Sequence, residues 1–488
     1  MITSDRSAAE PIRQLGTHRK LVSRTGPRKI DARLPLDAII VPASRPATNL
    51  ETAITLARAT RSVLVVLCSH QVTPTKVHQM LAERSFDRAV VINLPDNYRH
   101  ELLEFRALAS IEGELPAACS YFATNLSTKR NLGLLLGRMV GWERIFFLDD
   151  DIRDIGHPDL QSMVSMLARY RTAGMRATEF PDNSAACHAH RHTGGAQDVF
   201  LSGAALAVDI QQQQVGFFPD IYNEDWLFFY DDAASGQLGC SERKTTQLRY
   251  DPFRDPRRAA WQEFGDVLAE GLYALLDRRL GLEHATHEYW IDFLRARHSF
   301  LRAILRRSGT AKWEIRDELV LAVKAALECS TTIRPGVLER YIQLWRRDLG
   351  AWQRRVATIG QMYPLDVALK TLGLESSGYG WAAAAAADVA RPRREAATAT
   401  ATEEPSTKPY ELSDLFDLLR PSPVTGGKPE SDLEERGGGT GRVDLSPDHG
   451  PAEMGQRRLG GSAWRPFRRP ERSYAPQEPS PAPEAAAG

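Results

Sequence analysis

Apolar residues gather into four short, unbroken runs in the first third of the chain: Ala38–Val41, Val63–Cys68, Ala89–Ile92 and Ile145–Leu148. Runs of this length without polar alternation predict strands buried on both faces, the signature of a parallel sheet covered by helices on either side. Between the runs the period changes to that of a helix. Thr48 to Ala59 has helical spacing, and Thr73-Pro74 opens a further helix, with the proline placed where its missing N–H is harmless. Leu132, Leu135, Leu136, Met139 and Val140 share one helical face, behind Ser127 as N-cap and ahead of Gly141 as the stop. This alternation over residues 35–258 predicts an α/β domain.

The pattern changes twice more. Residues 259–376 read as almost wholly helical. Phe264, Val267, Leu268, Leu272, Leu275 and Leu276 form one packed face, and further helices are expected over 285–306, 313–329 and 335–357. From residue 377 to 488 the composition shifts to Ala, Pro, Gly, Glu, Arg, Ser and Thr, which predicts a disordered, low-complexity tail. Within it, residues 410–419 (YELSDLFDLL) form an amphipathic island suited to a partner groove or to folding back on the domain. Residues 1–34 are polar and read as a flexible arm.

Composition narrows the class. Lys plus Arg and Asp plus Glu are equal at 62 each, so net charge gives no reason to expect nucleic-acid or anionic-membrane binding. The 5 cysteines are widely spaced with no C-x-x-C pair, which reads as reduced thiols in a cytoplasmic protein. The N-terminal stretch lacks an apolar h-region, and no apolar run is long enough to span a bilayer; Trp381 to Ala387 is mostly alanine and too short.

The sharpest chemical feature is Asp149-Asp150-Asp151, directly after the fourth apolar run. Ligands of open α/β sheets sit at the carboxyl ends of strands. Adjacent carboxylates repel, and a hard divalent cation, Mg²⁺ or Mn²⁺, resolves the repulsion while keeping room for water and phosphate. A solvated acidic turn is the plain alternative, but such a turn does not usually follow a run as apolar as Ile145–Leu148.

The succession VPASRP, VLVVLCS, STKRNLGLLLGRMVGWERIFFLDDDI, FLSGAALAV and FFPDIYNEDWLFF resembles family-2-type glycosyltransferases of the A fold, the nucleotide-diphospho-sugar transferase superfamily. The likeness covers residues 36–275 and is strongest from Thr128 to Ile152. It implies a mixed, mostly parallel sheet with flanking helices, to which this chain adds a C-terminal helical subdomain and the tail. By the same resemblance, Pro42, Ser44 and Arg45 cradle the nucleotide, Ser69 contacts base or ribose, and Arg130 and Asn131 face the nucleotide-sugar. Asp149 and Asp150 bind ribose and metal, with Asp151 the direct metal ligand beside Asp149. Gly203 lies beside the sugar and acceptor, where a glycine allows close backbone approach. Asp225, with Glu224 as its understudy, would be the general base that takes the acceptor proton. The implied reaction is metal-dependent transfer from a UDP- or GDP-sugar to a hydroxyl acceptor, with inversion.

Plainer readings stand beside these. Arg130 and Asn131 would also suit a solvated helix start, Gly203 a strand bulge, and Glu224-Asp225 an acidic pair favoured by the helix dipole. A nucleotidyltransferase on a related sheet is the rival enzyme, but it would carry a glycine-rich loop where this chain has Pro42-Ala43-Ser44-Arg45-Pro46. A non-catalytic nucleotide-sugar-binding or scaffold protein is the third reading, against which the intact aspartates speak. His188, His190 and His192 alternate as on one strand face bordering the cleft, without a second ligand pair at zinc spacing. One of these, or His284 or His287, would complete a metal shell. The basic pairs Arg306-Arg307 and Arg346-Arg347 read as solvated faces, or as contacts for a phosphorylated acceptor.

Overall fold

The computed structural model describes residues 15–25, 33–119, 125–178, 184–196, 200–211, 215–360 and 362–374. Calls that fall on the tail, including the island at 410–419, lie outside these residues. Every described residue belongs to one unit of the chain.

The chain begins with α1 (Arg19–Thr25), β1 (Ala38–Val41), α2 (Glu51–Thr60), β2 (Val63–Cys68), α3 (Pro74–Glu83) and β3 (Ala89–Asn93). It continues through α4 (Leu126–Val140), β4 (Arg144–Leu148), β5 (Ile152–Arg153), α5 (His157–Met166), β6 (Thr172–Thr178), α6 (Ala185–His192) and β7 (Ala205–Asp209). Short helices α7 (Glu224–Phe228) and α8 (Tyr230–Ala234) precede β8 (Leu238–Gln247). Then come α9 (Pro256–Asp277), α10 (His287–Arg306), α11 (Trp313–Thr332), α12 (Pro335–Thr358) and α13 (Leu365–Thr371). No helix of the described residues is long and apolar enough to cross a membrane.

The eight strands form one mixed sheet in the order β3-β2-β1-β4-β7-β6-β8-β5. β1 to β4 run parallel, β7 is antiparallel to both its neighbours, and β5 closes the far edge against β8. The unbroken apolar runs follow from burial on two sides. Ile39, Val41, Leu64, Val66, Phe146 and Leu148 face the core beneath α2, α3 and α5. Ile40, Val63, Val65, Ile145 and Phe147 face the opposite core, shared with α4 and α9.

Local details differ from the sequence reading where side chains found other partners. Helix α4 starts before Ser127, with Asn125 as N-cap residue, and the Ser127 hydroxyl donates to the Pro219 carbonyl at 2.9 Å. Gly141 does stop α4, in the left-handed conformation at φ 85°. The histidine segment is helix α6, not a strand. Ser184 caps it by accepting from the Cys187 N–H, and three alanines supply strong helix propensity. Within the segment expected as an arm, Leu21 and Val22 are buried, and His18 lies in a ring of Trp226, Tyr273, Phe229 and Phe200 with centroids 4.2–6.0 Å away.

His18 accepts the Leu201 N–H at Nδ1 (2.8 Å), and burial pushes its pKa down to about 3. The unfolded chain therefore binds this proton at a higher pH than the folded one, and stability falls as pH drops from about 6.5 toward 3. The expected slope from this one side chain is roughly 1.4 kcal/mol per pH unit. Urea midpoints between pH 7 and pH 5 should shift less in His18→Asn, which keeps an acceptor for Leu201; an unchanged pH dependence would contradict the assignment.

Candidate active site

The triplet sits where the chain leaves the sheet centre for its edge. Asp149 N–H donates to the Ala204 carbonyl (2.9 Å), continuing the β4–β7 pairing by one residue. Leu248 N–H donates to the Asp151 carbonyl (2.9 Å), beginning the attachment to β8. The crossing holds three consecutive carboxylates at the mouth of a cleft of about 440 Å³.

Each carboxylate has a different partner set. Asp150 is 3% exposed and turns inward to the loop after β1. Its Oδ2 accepts the Ser44 N–H (2.7 Å) and the Arg45 N–H (2.8 Å), and its Oδ1 accepts from the Arg45 guanidinium. Asp149 accepts from Arg130 Nη2 at 3.0 Å on both oxygens. Asp151 pairs through Oδ2 with Arg45 Nη2 (2.8 Å) and accepts there from Gln247 Nε2 (3.3 Å). Asp151 Oδ1 is buried with no hydrogen-bond partner among the described residues. Burial first, and then the Asp149 charge, raise the Asp151 pKa to about 6 against the opposing pull of Arg45.

Arg130 links the triplet to the second acidic pair. It lies 2% exposed over the Phe218 ring, reaching Asp149 with Nη2 and Glu224 Oε1 with Nη1 at 2.5 Å. Burial opposes its charge, but Asp149, Glu224 and Asp225 outweigh that and raise its pKa. A Cβ at Gly203 would stand 2.6 Å from Arg130 Nη1, so the glycine makes room for the guanidinium. Gly203 N–H also donates to Asp225 Oδ2 (2.6 Å), and Asp225 Oδ1 accepts the Trp226 N–H (2.9 Å). Burial raises the Asp225 pKa, and Arg130 and these two amides oppose it.

Of the residues singled out from sequence, Pro42, Ser44, Arg45, Asp149, Asp150, Asp151, Glu224 and Asp225 all line this one cleft. Asn131 does not. Its amide clasps Phe218, donating to the carbonyl and accepting from the N–H at 2.8 Å each. The Ser69 hydroxyl accepts from Lys129 Nζ (2.7 Å) and contacts Asn125 Oδ1 (3.2 Å), just behind the cleft wall.

Lys129 was not among the sequence candidates, yet it lines the cleft at 1% exposure, bound to the Ala43 carbonyl and Ser69. Burial lowers its pKa to about 8, and Asp150 leads the charges that pull it back up. A lysine beside an arginine in the first turns of a buried helix is the available signal. Gln247, Tyr250, Arg258 and Trp261 also line the cleft, with Arg258 over the Tyr250 ring at 4.4 Å. Only the β5–β8 pairing and the start of α9 bring them there, so no local pattern marks them.

The histidines serve elsewhere. His188, His190 and His192 meet different aromatic rings edge-on or tilted, Tyr250, Phe300 and Phe253. His284 and His287 pair with Glu283 and Glu339 and do not line the cleft, whereas His70 does. Among the described residues no three His, Cys, Asp or Glu side chains group as a metal site. Oxygen ligands nonetheless suit Mg²⁺ or Mn²⁺, and Mg²⁺ commonly takes only one or two carboxylates and completes its shell with water and phosphate. Asp151, whose Oδ1 has no partner among the described residues, fits that role, with Asp149 adjacent.

Behind α7, Arg297 of α10 is fully buried. It donates to Glu263, Asp266 and Glu270 on one face of α9 at 2.8–3.0 Å. Asp266 in turn accepts from Asn223 Nδ2 (3.0 Å), the residue before Glu224. The helical layer thereby fixes the turn that presents the acidic pair.

No family model and no curated protein sequence matches the chain. Among solved structures it aligns with the mannosyltransferase PcManGT from Pyrobaculum calidifontis, in complex with GDP-Man and Mn²⁺. Identity is 13%, coverage is 72% of this chain and 84% of that chain, and the TM-score is 0.29. An overlap that shallow carries no argument.

Because Gly203 adjoins both Arg130 and Asp225, Gly203→Ala should displace the guanidinium and cost about 1–3 kcal/mol. The check is a lower urea midpoint at unchanged m-value. Wild-type stability would mean that Arg130 is free to move.

Proposed function

We propose that the chain transfers a sugar from a nucleotide-diphospho-sugar to a hydroxyl acceptor with the help of a divalent cation. The observation that carries this reading is the convergence, in one cleft, of the Asp149–Asp151 triplet with Asp225. One oxygen of Asp151 has no hydrogen-bond partner among the described residues, and Asp225 is buried and basic for a carboxylate. The sequence resemblance supplies the reaction class.

In this reading the donor's diphosphate lies along the triplet, cradled by the loop of Ser44 and Arg45, with Arg258 at the rim. The cation, when bound, offsets the negative charge that builds on the departing diphosphate. Asp225 accepts the proton of the acceptor hydroxyl as that oxygen bonds to the anomeric carbon and the bond from that carbon to the diphosphate oxygen breaks. Each Asp225 oxygen holds one backbone amide and keeps a second lone pair for this proton. Arg130, locked between Asp149 and Glu224, holds both acidic groups in place.

A second reading has its own observation. Arg45 already bridges Asp150 and Asp151, so a guanidinium rather than a metal would neutralise the triplet during the same transfer. Donor hydrolysis across a panel of nucleotide-sugars, with and without EDTA, separates the two. Activity that EDTA abolishes and Mn²⁺ or Mg²⁺ restores supports the metal reading, EDTA-resistant activity the second, and no turnover of any donor contradicts both. Asp225→Asn should bind donor as wild type and lose about 10²–10⁴-fold in transfer rate. Full activity in that variant would remove Asp225 as base.

A further inference from the structure

A second cavity, of about 590 Å³, lies beyond the N-terminus of α4 and meets the carboxylate cleft at Asn125, which lines both. Nothing in the proposed transfer uses its inner wall. There the Tyr341 hydroxyl, on a fully buried side chain of α12, has no hydrogen-bond partner among the described residues. Oδ1 of Asp220, on the same wall, is buried and likewise without one. A buried hydroxyl and a buried carboxylate oxygen left unmatched each carry a desolvation penalty. One is a donor and the other an acceptor, and a ligand hydroxyl satisfies both at once by accepting from Tyr341 and donating to Asp220.

The rest of the wall fits the same class. Phe105, partly exposed, stacks on Phe217 with centroids 4.0 Å apart and an interplanar angle of 15°, giving a flat apolar platform. Arg99, Arg106 and Arg355 face Asp96, Glu104, Glu112 and Asp220, so charges of both signs line the cavity and neither an anion nor a cation is strongly favoured. We propose that this cavity binds a neutral, multiply hydroxylated ring such as a sugar, its hydroxyl between Tyr341 and Asp220 and its apolar face toward the Phe105–Phe217 platform. The inference stands apart from the transfer reading, because it concerns a wall that the carboxylate cleft does not share.

The test uses the full chain without nucleotide or metal, so its failure is distinct from a failure of the transferase reading. Saturation-transfer NMR is recorded with the methyl glycosides of glucose, galactose and mannose at about 10 mM, enough to populate a millimolar site. At least one glycoside should give signal, and its Kd, read from a concentration series, should rise about tenfold in both Tyr341→Phe and Asp220→Ala, as expected for loss of one hydrogen bond. Thermal unfolding of both variants checks the fold, and Tyr341→Phe removes only the hydroxyl. No signal from any glycoside, or a Kd unchanged in both variants, overturns the proposal.

Discussion

Mutual repulsion among five acidic side chains is the constraint on which the site depends. Asp149, Asp150, Asp151, Glu224 and Asp225 line one cleft, and all five are buried or held in ion pairs. Burial alone would push such groups toward their neutral forms. The chain answers with Arg130 between Asp149 and Glu224, Arg45 across Asp150 and Asp151, and Lys129 behind the loop. Asp151 keeps one buried oxygen without a hydrogen-bond partner among the described residues, and its pKa is raised to about 6. That residual deficit makes it the natural place for a further positive charge.

The fold exists around this arrangement in a physical sense. β4 delivers the triplet from a strand buried on both faces, so its position is fixed by two cores rather than by a surface turn. Asp150 ties that strand end to the loop after β1 through two backbone amides. The acidic pair is fixed from the other side by the helical layer, where Arg297 binds three carboxylates of α9 and Asp266 holds Asn223. A buried charged cluster of this kind gives little net stability, but breaking it by removing one partner is costly, and it specifies one geometry.

The parts legible in the sequence are those set by local period and strand ends. The four apolar runs are strands, the helical zone divides close to the expected places, and the triplet sits at the carboxyl end of β4. The His188–His192 segment alternates polar residues as a strand does, but the Ser184 cap and the alanines decide for a helix. Asn131 and Gly203 were read toward a ligand, but one binds Phe218 and the other accommodates Arg130. Those partners lie 87 and 73 residues away in sequence, and no spacing rule reaches that far. Lys129 and Gln247 stayed hidden for the same reason: their roles arise from burial and from strand pairing.

Calorimetric titration of a nucleoside diphosphate with Mn²⁺ into the wild-type chain and Asp151→Asn tests the central claim most directly. The account requires binding that depends on Mn²⁺ in the wild type and is lost in the variant while its thermal unfolding stays cooperative. Equal binding by both proteins, or wild-type binding indifferent to Mn²⁺, would contradict it.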